Sequence, residues 1–421
     1  RDKYLLSASI RHEGSSKFSA DNRWANFWSA SAGWRISKEN FMKEVKWVDD
    51  LKVRFGYGVT GNNDFDASYM ADMLGSDTYW MLPNGEWAYS FGKTQNVNRN
   101  LGWEEKKEWN LGVDYSLFGN RLYGKFDYFK RTIDNLIYEV AVPQPPYTQN
   151  TQWQNIGSME VKGWEFEVGG DIIRTKDFVW SSNLNLSHNS GKIATLWGNN
   201  TYKNGNGFVA PGSPGDAARM EEGSTIGSFY IWKFAGFDDE GYFLLYDKDN
   251  NVIPAKDKTE NDKRYVGNYT PKLIVGWSHT FTYRNFDLGV NLRSWIDFDV
   301  YNTINMYYGI QGQGNFNVLK DAYGKFSHIK GEKQICDYYL EDGTFLKIDA
   351  ITLAMKKYTK NLIDRIRIYG TVGNVCTITG YSGMNPEVNI TGWDQGTEKF
   401  WDTERFYPMV RTYTLGMQFN F

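Results

Sequence analysis

The sequence predicts an all-β protein, a transmembrane antiparallel β-barrel with long extracellular loops and short periplasmic turns. Apolar residues make up 41% of the 421 residues, yet no run reaches the roughly 18 to 20 consecutive apolar residues that a membrane helix needs. Apolar and polar residues instead alternate in segments of about 10 to 14 residues, the length of a tilted membrane strand. The connectors between these segments alternate between short and long, as they do in outer-membrane barrels.

The last segment shows the alternation most clearly. Large apolar residues occupy one side of the predicted strand, whereas small polar residues and Gly occupy the other. The apolar side consists of Tyr413, Leu415, Met417, Phe419 and Phe421. Such a strand has one face toward lipid and the other toward a watery lumen, and it closes at a C-terminal Phe.

The same pattern predicts roughly a dozen strands along the chain. They run from Lys3 to Arg11, Trp24 to Ile36, Leu51 to Thr60, Trp109 to Leu117, Arg121 to Asp134, Val161 to Ile173, Phe178 to His188, Lys272 to Tyr283, Phe286 to Arg293, Phe345 to Tyr358, Ile363 to Asn374 and Pro408 to Phe421. A short helix is predicted from Lys38 to Val45.

The connectors fall into two classes that alternate along the chain. The short ones are Gly119-Asn120, Arg174 to Asp177, Arg284-Asn285 and Thr359 to Leu362. The long ones run from Gly61 to Glu104, Asn135 to Met159, Asn189 to Pro271, Asp297 to Thr344 and Val375 to Tyr407. With a periplasmic C-terminus, every short connector is periplasmic and every long one is extracellular. A soluble sandwich has no reason to segregate its loops in this way.

Composition and motifs exclude several functions. A net charge of −3 and the lack of a Lys/Arg-rich block give no reason to expect nucleic acid. There is no G-x-S-x-G elbow, no CxxC and no His cluster with ligand spacing, so we expect neither an enzyme nor a cofactor or metal. Asp247 to Asn251 starts like a calcium-binding EF-hand loop. The motif fails because Val252 replaces the required Gly and Lys258 replaces the distal Glu.

Cysteine usage and the first residues give two further expectations. Cys336 and Cys376 are predicted to lie in loops at the same end of the barrel, which leaves a disulfide open. The sequence opens at Arg1 without an initiator Met or a signal peptide, which a membrane barrel must carry at some stage. We therefore expect this chain to be the C-terminal part of a longer protein.

Ten blocks, in order along nearly the whole chain, match one known family. They are Tyr4 to Phe18, Asn22 to Trp24, Gly33 to Ser37, Leu51 to Asn62, Asn110 to Tyr115, Asn120 to Gly124, Asn155 to Glu165, Asn285 to Leu288, Glu341 to Leu346 and Tyr407 to Gly416. These blocks closely resemble the SusC/RagA family of TonB-dependent transporters in the outer membrane of Gram-negative bacteria.

The resemblance implies more than the residues themselves show. It implies a barrel of about 22 strands filled by an N-terminal plug, of which residues 1–421 supply the C-terminal half. The plug and the first strands would lie outside this chain, as would the segment that couples to TonB. The resemblance also implies a SusD-like surface lipoprotein as a lid over the extracellular mouth, and import of polysaccharide fragments or peptides.

Aromatic residues in the long outward loops are the candidate substrate-binding residues, because loops on a rigid scaffold can vary with the ligand. The richest segment contains Asn84 and Glu86 among its aromatic residues, and such a combination suits sugar rings and their hydroxyls. The candidates are Tyr79, Trp80, Trp87, Tyr89, Trp153, Trp197, Tyr307 and Tyr308. The alternative for each is that its ring packs inside its own loop.

The first functional hypothesis is therefore TonB-dependent active import of oligosaccharides. Import of oligopeptides by the same mechanism stays open. So do a surface glycan-binding β-protein without a transport role and a passive porin without a plug.

Overall fold

The computed structural model describes residues 2–196, 202–204, 217–312, 317–358, 364–387, 401–402 and 409–420. Its main feature is one sheet of twelve antiparallel strands, numbered β1 to β12 in chain order. The strands are Tyr4–Gly14, Trp24–Arg35, Val48–Asn62, Glu104–Leu117, Leu122–Asp134, Ser158–Arg174, Phe178–Thr195, Leu273–Tyr283, Phe286–Ile296, Phe345–Tyr358, Arg365–Thr379 and Thr412–Asn420.

Each strand pairs with the strand before and after it in the chain, so the sheet is a continuous meander. All twelve predicted strands are confirmed. The predicted helix from Lys38 to Val45 is wrong, because only two short 3₁₀ turns form there, Ile36–Lys38 and Asn40–Met42. Glu39, between them, has an extended backbone (φ −76°, ψ 154°) and interrupts the helical geometry.

The apolar face of the sheet is exposed rather than buried. In register, β12 places Tyr413 opposite Val372 and Met417 opposite Ile368. Leu415 on β12 is 82% exposed, and Leu6 on β1, at the other edge of the sheet, is 85% exposed. Rows of exposed apolar side chains this large are expected where the solvent is lipid. No helix among the described residues is long and apolar enough to cross a membrane.

The opposite face carries charged residues that pair across strands. Arg54 on β3 contacts Asp114 at 2.8 Å and Asp127 at 3.0 Å. Gly112 lies opposite Arg54 in the register, and a Cβ at Gly112 would come within 2.6 Å of the guanidinium. The missing side chain therefore leaves space for the arginine, and this face has the polar character of a lumen lining.

The connectors emerge alternately at the two ends of the sheet. One end carries the connectors 15–23, 63–103, 135–157, 196–272, 297–344 and 380–411. The other end carries 36–47, 118–121, 175–177, 284–285 and 359–364, of which 36–47 is the longest. The connectors predicted to be short and those predicted to be long lie at opposite ends, as expected, and we call the first end extracellular. The connector 36–47 departs from this pattern, because it is longer than the extracellular connector 15–23.

The extracellular connectors contain small elements of their own. Their strands are Leu74–Met81 with Trp87–Lys93, Ile137–Ala141 with Thr151–Asn155, Tyr202–Asn204 with Arg219–Glu221, Ser228–Ile231 with Arg264–Asn268, Lys233–Phe237 with Phe243–Tyr246 and Val252–Pro254, and Asp299–Asn302 with Leu340–Asp342 and Trp401–Asp402. The helices are the α-helix Thr303–Tyr308 and the 3₁₀ turns Ala20–Asn22, Ala67–Met70, Ala255–Asp257, Glu260–Asp262, Lys320–Tyr323 and Asp337–Tyr339.

The largest buried core lies in this loop layer and not in the sheet. It is centred on aromatic residues such as Phe229, Trp232 and Tyr301. Cys336 belongs to it, whereas Cys376 lies in strand β11 rather than in a loop as predicted. Both cysteines are free, so they form no disulfide with each other.

Candidate functional site: an exposed aromatic platform

The most exposed of the predicted ligand-binding residues lie on one hairpin in the extracellular connector 63–103. Its strands are Leu74–Met81 and Trp87–Lys93. The Gly85 N–H donates to the Leu82 carbonyl at 2.9 Å, and the Leu82 N–H donates to the Glu86 carbonyl at 2.8 Å. Gly85 has φ +88°, which Gly adopts at no steric cost. The sequence Leu-Pro-Asn-Gly-Glu thus builds a tight turn closed by a left-handed glycine.

One face of this hairpin is almost entirely aromatic. Tyr79 lies opposite Tyr89 and Met81 opposite Trp87, and the strand alternation places Phe91 on the same side. We call these five residues the aromatic platform. Each of the five is between 57% and 70% exposed. Trp80 is equally exposed but points from the other face, opposite Ala88.

The two tyrosines of the platform support each other. Their ring centroids are 4.7 Å apart, and the Tyr79 hydroxyl donates to the Tyr89 hydroxyl at 3.0 Å. This hydrogen bond raises the pKa of Tyr79, so its hydroxyl stays neutral at physiological pH. The platform therefore presents flat neutral rings to the outside.

Two polar residues hold the base of the hairpin, Asn96 to the neighbouring loop and Asp72 to other residues of its own connector. The Asn96 amide donates to the Gln149 carbonyl at 2.7 Å and to the Thr151 carbonyl at 2.8 Å. The Asp72 carboxylate contacts Lys93 at 3.2 Å and Arg99 at 2.8 Å. The base of the hairpin is thus held, while its rings remain uncovered by the described residues.

The chemistry of the platform suits a ligand with alternating apolar faces and hydroxyls. Aromatic rings stack on apolar faces, and the turn adds hydrogen-bonding groups. Asn84 donates to the Glu86 carboxylate at 2.9 Å, which leaves the other carboxylate oxygen available as an acceptor.

The remaining predicted residues do not join the platform. Trp153 is half-buried and stacks on Tyr69 with centroids 4.6 Å apart. Tyr307 is 1% exposed and lies in the loop core, and Tyr308 is half-buried beside it. In this structure these three rings pack inside the loops. Trp197 lies outside the described residues.

The structure adds platform members that the sequence reasoning missed. Met81 and Phe91 are part of the exposed face, and the alternation across the hairpin was the signal that would have found them. The acidic residues of the loops have structural roles instead. Asp238 and Asp247 accept backbone N–H groups of their own turns, for example from Tyr242 and Asn251 at 2.8 Å. No group that could hold a metal ion occurs among the residues described.

A second concave feature lies elsewhere in the loop layer. A cavity of about 480 Å³ opens between the turn at Asp238 and the segment around Lys330. Lys258 and Gln334 also line this cavity. Burial lowers the pKa of Lys258. Acidic and basic residues are mixed in this lining, so charge selects no single ligand class.

Comparison with known proteins identifies the family. The model of the TonB dependent receptor-like β-barrel family matches residues 1–374. Over the whole chain, the TonB-dependent receptor SusC of Bacteroides thetaiotaomicron is 30% identical, and the TonB-dependent receptor P3 of Formosa agariphila is 29% identical. The chain spans 42% and 44% of these two relatives.

Solved structures agree on the fold. The RagAB peptide transporter matches 99% of this chain with a TM-score of 0.81 at 22% identity, and the match covers 46% of that chain. The RagAB peptide importer in its open-open state matches with a TM-score of 0.80. The chain therefore belongs to the TonB dependent receptor-like β-barrel family and forms part of a Gram-negative outer-membrane barrel, and within that family it resembles SusC and the RagAB transporter.

Proposed function

We propose that this chain is part of a transporter that imports oligosaccharides across the outer membrane by TonB-dependent active transport. It supplies the C-terminal half of the barrel wall. The plug, the first strands and the TonB-coupling segment lie elsewhere in the full-length protein. Family membership supports the transport mechanism, and the 42% to 46% share of each relative supports the division of the barrel.

The single observation that favours a glycan is the exposed aromatic platform. Its five side chains form one extracellular face with an acidic and amide turn at its tip. Sugar rings offer an apolar face for stacking and hydroxyls for the turn. A SusD-like surface lipoprotein would close over the bound ligand, and the lumen face of the sheet would receive it.

Uptake by intact cells tests the proposal. Cells with and without the full-length gene are offered labelled oligosaccharides and labelled peptides, before and after the proton gradient is collapsed. We expect gene-dependent oligosaccharide uptake that stops with the gradient. Gene-dependent uptake of peptides alone would show that the substrates are oligopeptides and not oligosaccharides. Uptake that survives collapse of the gradient would indicate a passive porin, and surface binding without uptake would indicate a glycan-binding protein.

Substitutions on the two faces of the hairpin test the site separately. The double variant Trp87→Ala, Tyr89→Ala should weaken oligosaccharide capture about 10-fold to 100-fold. Each aromatic stacking contact that it removes contributes about 0.5 to 1.5 kcal/mol beyond burial. Trp87→Phe should retain most of the binding. Trp80→Ala changes the opposite face and serves as the matched comparison. Equal loss in both variants would assign binding to the whole hairpin rather than to the platform.

A further inference from the structure

A group of lysines lies on the outward face of the sheet at its extracellular end. Lys130 on β5 and Lys162 on β6 are direct partners in the strand register. Lys192 on β7 is the register partner of Glu160 on β6. We call Lys130, Lys162, Lys192 and Glu160 the outer lysine cluster. Partners in a ladder share one face, so all four side chains project to the same side of three adjacent strands.

The cluster borders the lipid-facing aromatic residues. Lys130 is two residues from Tyr128 and is the register partner of Trp109, while Lys162 is two residues from Trp164. Tyr128 and Trp164 are themselves partners. Farther from the extracellular end, the same face continues as Phe126, Phe166 and other apolar side chains. Trp and Tyr at this position mark the level of the lipid headgroups.

The charges of the cluster do not balance. Glu160 contacts Lys130 at 2.7 Å and Lys192 at 3.8 Å, so one carboxylate serves two ammonium groups. Lys162 is exposed and lies beside Lys130, and like charges directly opposite each other destabilise a sheet. Three lysines against one glutamate give the cluster an excess of two positive charges. The adjacent residues on the same face, Lys107 with Asp134 at 2.9 Å and Glu105 at 3.4 Å, reduce this excess to one. An anion between the lysines would relieve their repulsion.

We propose that the outer lysine cluster binds a phosphate group of lipid A, the phosphorylated glycolipid of the outer leaflet. A phosphate offers several acceptor oxygens to the ammonium groups, and acyl chains below it can contact Phe126 and Phe166. Lysines near a membrane surface attract anionic headgroups. This site does not depend on the identity of the transported substrate.

Binding of defined lipids to the purified full-length transporter tests the proposal. Native mass spectrometry in detergent compares bisphosphorylated lipid A, dephosphorylated lipid A and phosphatidylglycerol. Wild-type protein should prefer bisphosphorylated lipid A to the dephosphorylated form at least 10-fold. The triple variant Lys130→Gln, Lys162→Gln, Lys192→Gln should bind it about 100-fold more weakly, on the basis of about 1 kcal/mol for each lysine near the surface.

The matched control is Lys106→Gln, which should bind like wild type. Lys106 lies at the same end of the sheet on β4, and it contacts Glu108 at 3.4 Å on the lumen face. The heat-modifiable migration of each variant shows whether the barrel has folded. Should the triple variant fail to fold, Lys162→Gln alone should still weaken binding about 5-fold. Equal affinity in wild type and variants, or for phosphorylated and dephosphorylated lipid A, would overturn the site. Equal binding of phosphatidylglycerol would overturn lipid A as its ligand.

Discussion

At the scale of single residues, Glu39 connects three other residues at the periplasmic end. Its carboxylate accepts from the Lys3 ammonium at 2.9 Å, the Tyr4 hydroxyl at 2.8 Å and the Trp34 indole at 3.2 Å. Tyr4 and Trp34 are register partners on β1 and β2. Glu39 thus joins the connector 36–47 to two interfacial aromatic residues, which favour the headgroup level. These contacts, first of all that with Lys3, lower the pKa of Glu39 to about 2.

This pKa predicts a pH dependence for Glu39. The ordinary value is 4.5, so the folded state binds the proton less readily than the unfolded state. The ionised Glu39 carboxylate therefore stabilises the folded state fully above about pH 4.5, and this stabilisation is lost as the pH falls to about 2. Glu39→Gln should therefore lower the thermal unfolding midpoint at pH 7, and its difference from wild type should shrink across that window. Glu44→Gln, exposed in the same connector, should show neither effect. A difference that is constant from pH 7 to pH 2 would contradict the assignment.

At the scale of elements, the sequence predicted the number and order of the strands better than their ends. Strand β4 was expected to begin at Trp109 but begins at Glu104. Residues 104–108 are charged, and they resemble a loop because no apolar alternation marks them. They pair nonetheless, since the strand continues above the membrane, where charged partners such as Asp134 at 2.9 Å from Lys107 replace lipid contacts.

The candidate site was predictable only where the local pattern was sufficient. Tyr79, Trp87 and Tyr89 belong to one hairpin, so their common face follows from strand alternation. Tyr307 was different, because its burial depends on the distant segment around Tyr339 that packs in the same core. A single sequence gives no information about such long-range packing, so an exposed ring and a buried ring have the same local signature.

A loop segment is also tied to the wall by a buried ion pair. Glu387, 0% exposed, contacts Lys347 on β10 at 2.8 Å, and Arg293 on β9 also contacts it. Lys347 is itself only 2% exposed. The pair anchors residues 380–387 to the lumen face of two adjacent strands. Removing one partner of a buried pair leaves an uncompensated charge.

Glu387→Gln should therefore loosen this segment by about 3 to 5 kcal/mol, the usual cost of breaking a buried ion pair. Hydrogen exchange of residues 380–387 in the full-length protein measures the change. The double variant Lys347→Met, Glu387→Met removes both charges and should recover part of the protection, while Arg293 keeps Asp349 at 3.1 Å. Equal exchange in wild type and Glu387→Gln would show that the ion pair does not hold the segment.

At the scale of the whole molecule, the wall and the loop layer are stabilised by different interactions. The wall consists of strand pairs with lipid on one face and polar contacts on the other, so its large apolar side chains are exposed. The loop layer has a buried aromatic core of its own. Strands β3 and β4 pair directly up to Asn62 and Glu104, where the connector bearing the platform begins and ends. We therefore expect the wall to assemble without the platform.

This separation predicts the effect of shortening the hairpin. Replacement of residues 74–92 by a short Gly-Ser linker should leave the full-length barrel in the outer membrane with unchanged heat-modifiable migration, because β3 and β4 keep their register. Flexible linkers of this kind close a loop at small entropic cost. Oligosaccharide capture and uptake should fall at least as far as in the Trp87→Ala, Tyr89→Ala variant, since the whole platform is removed. A barrel that no longer assembles would show that the hairpin is part of the folding unit. An assembled barrel with undiminished uptake would show that substrate is captured elsewhere. Normal assembly together with lost uptake is the one result that fits both the separation of the layers and the platform as the ligand-binding surface.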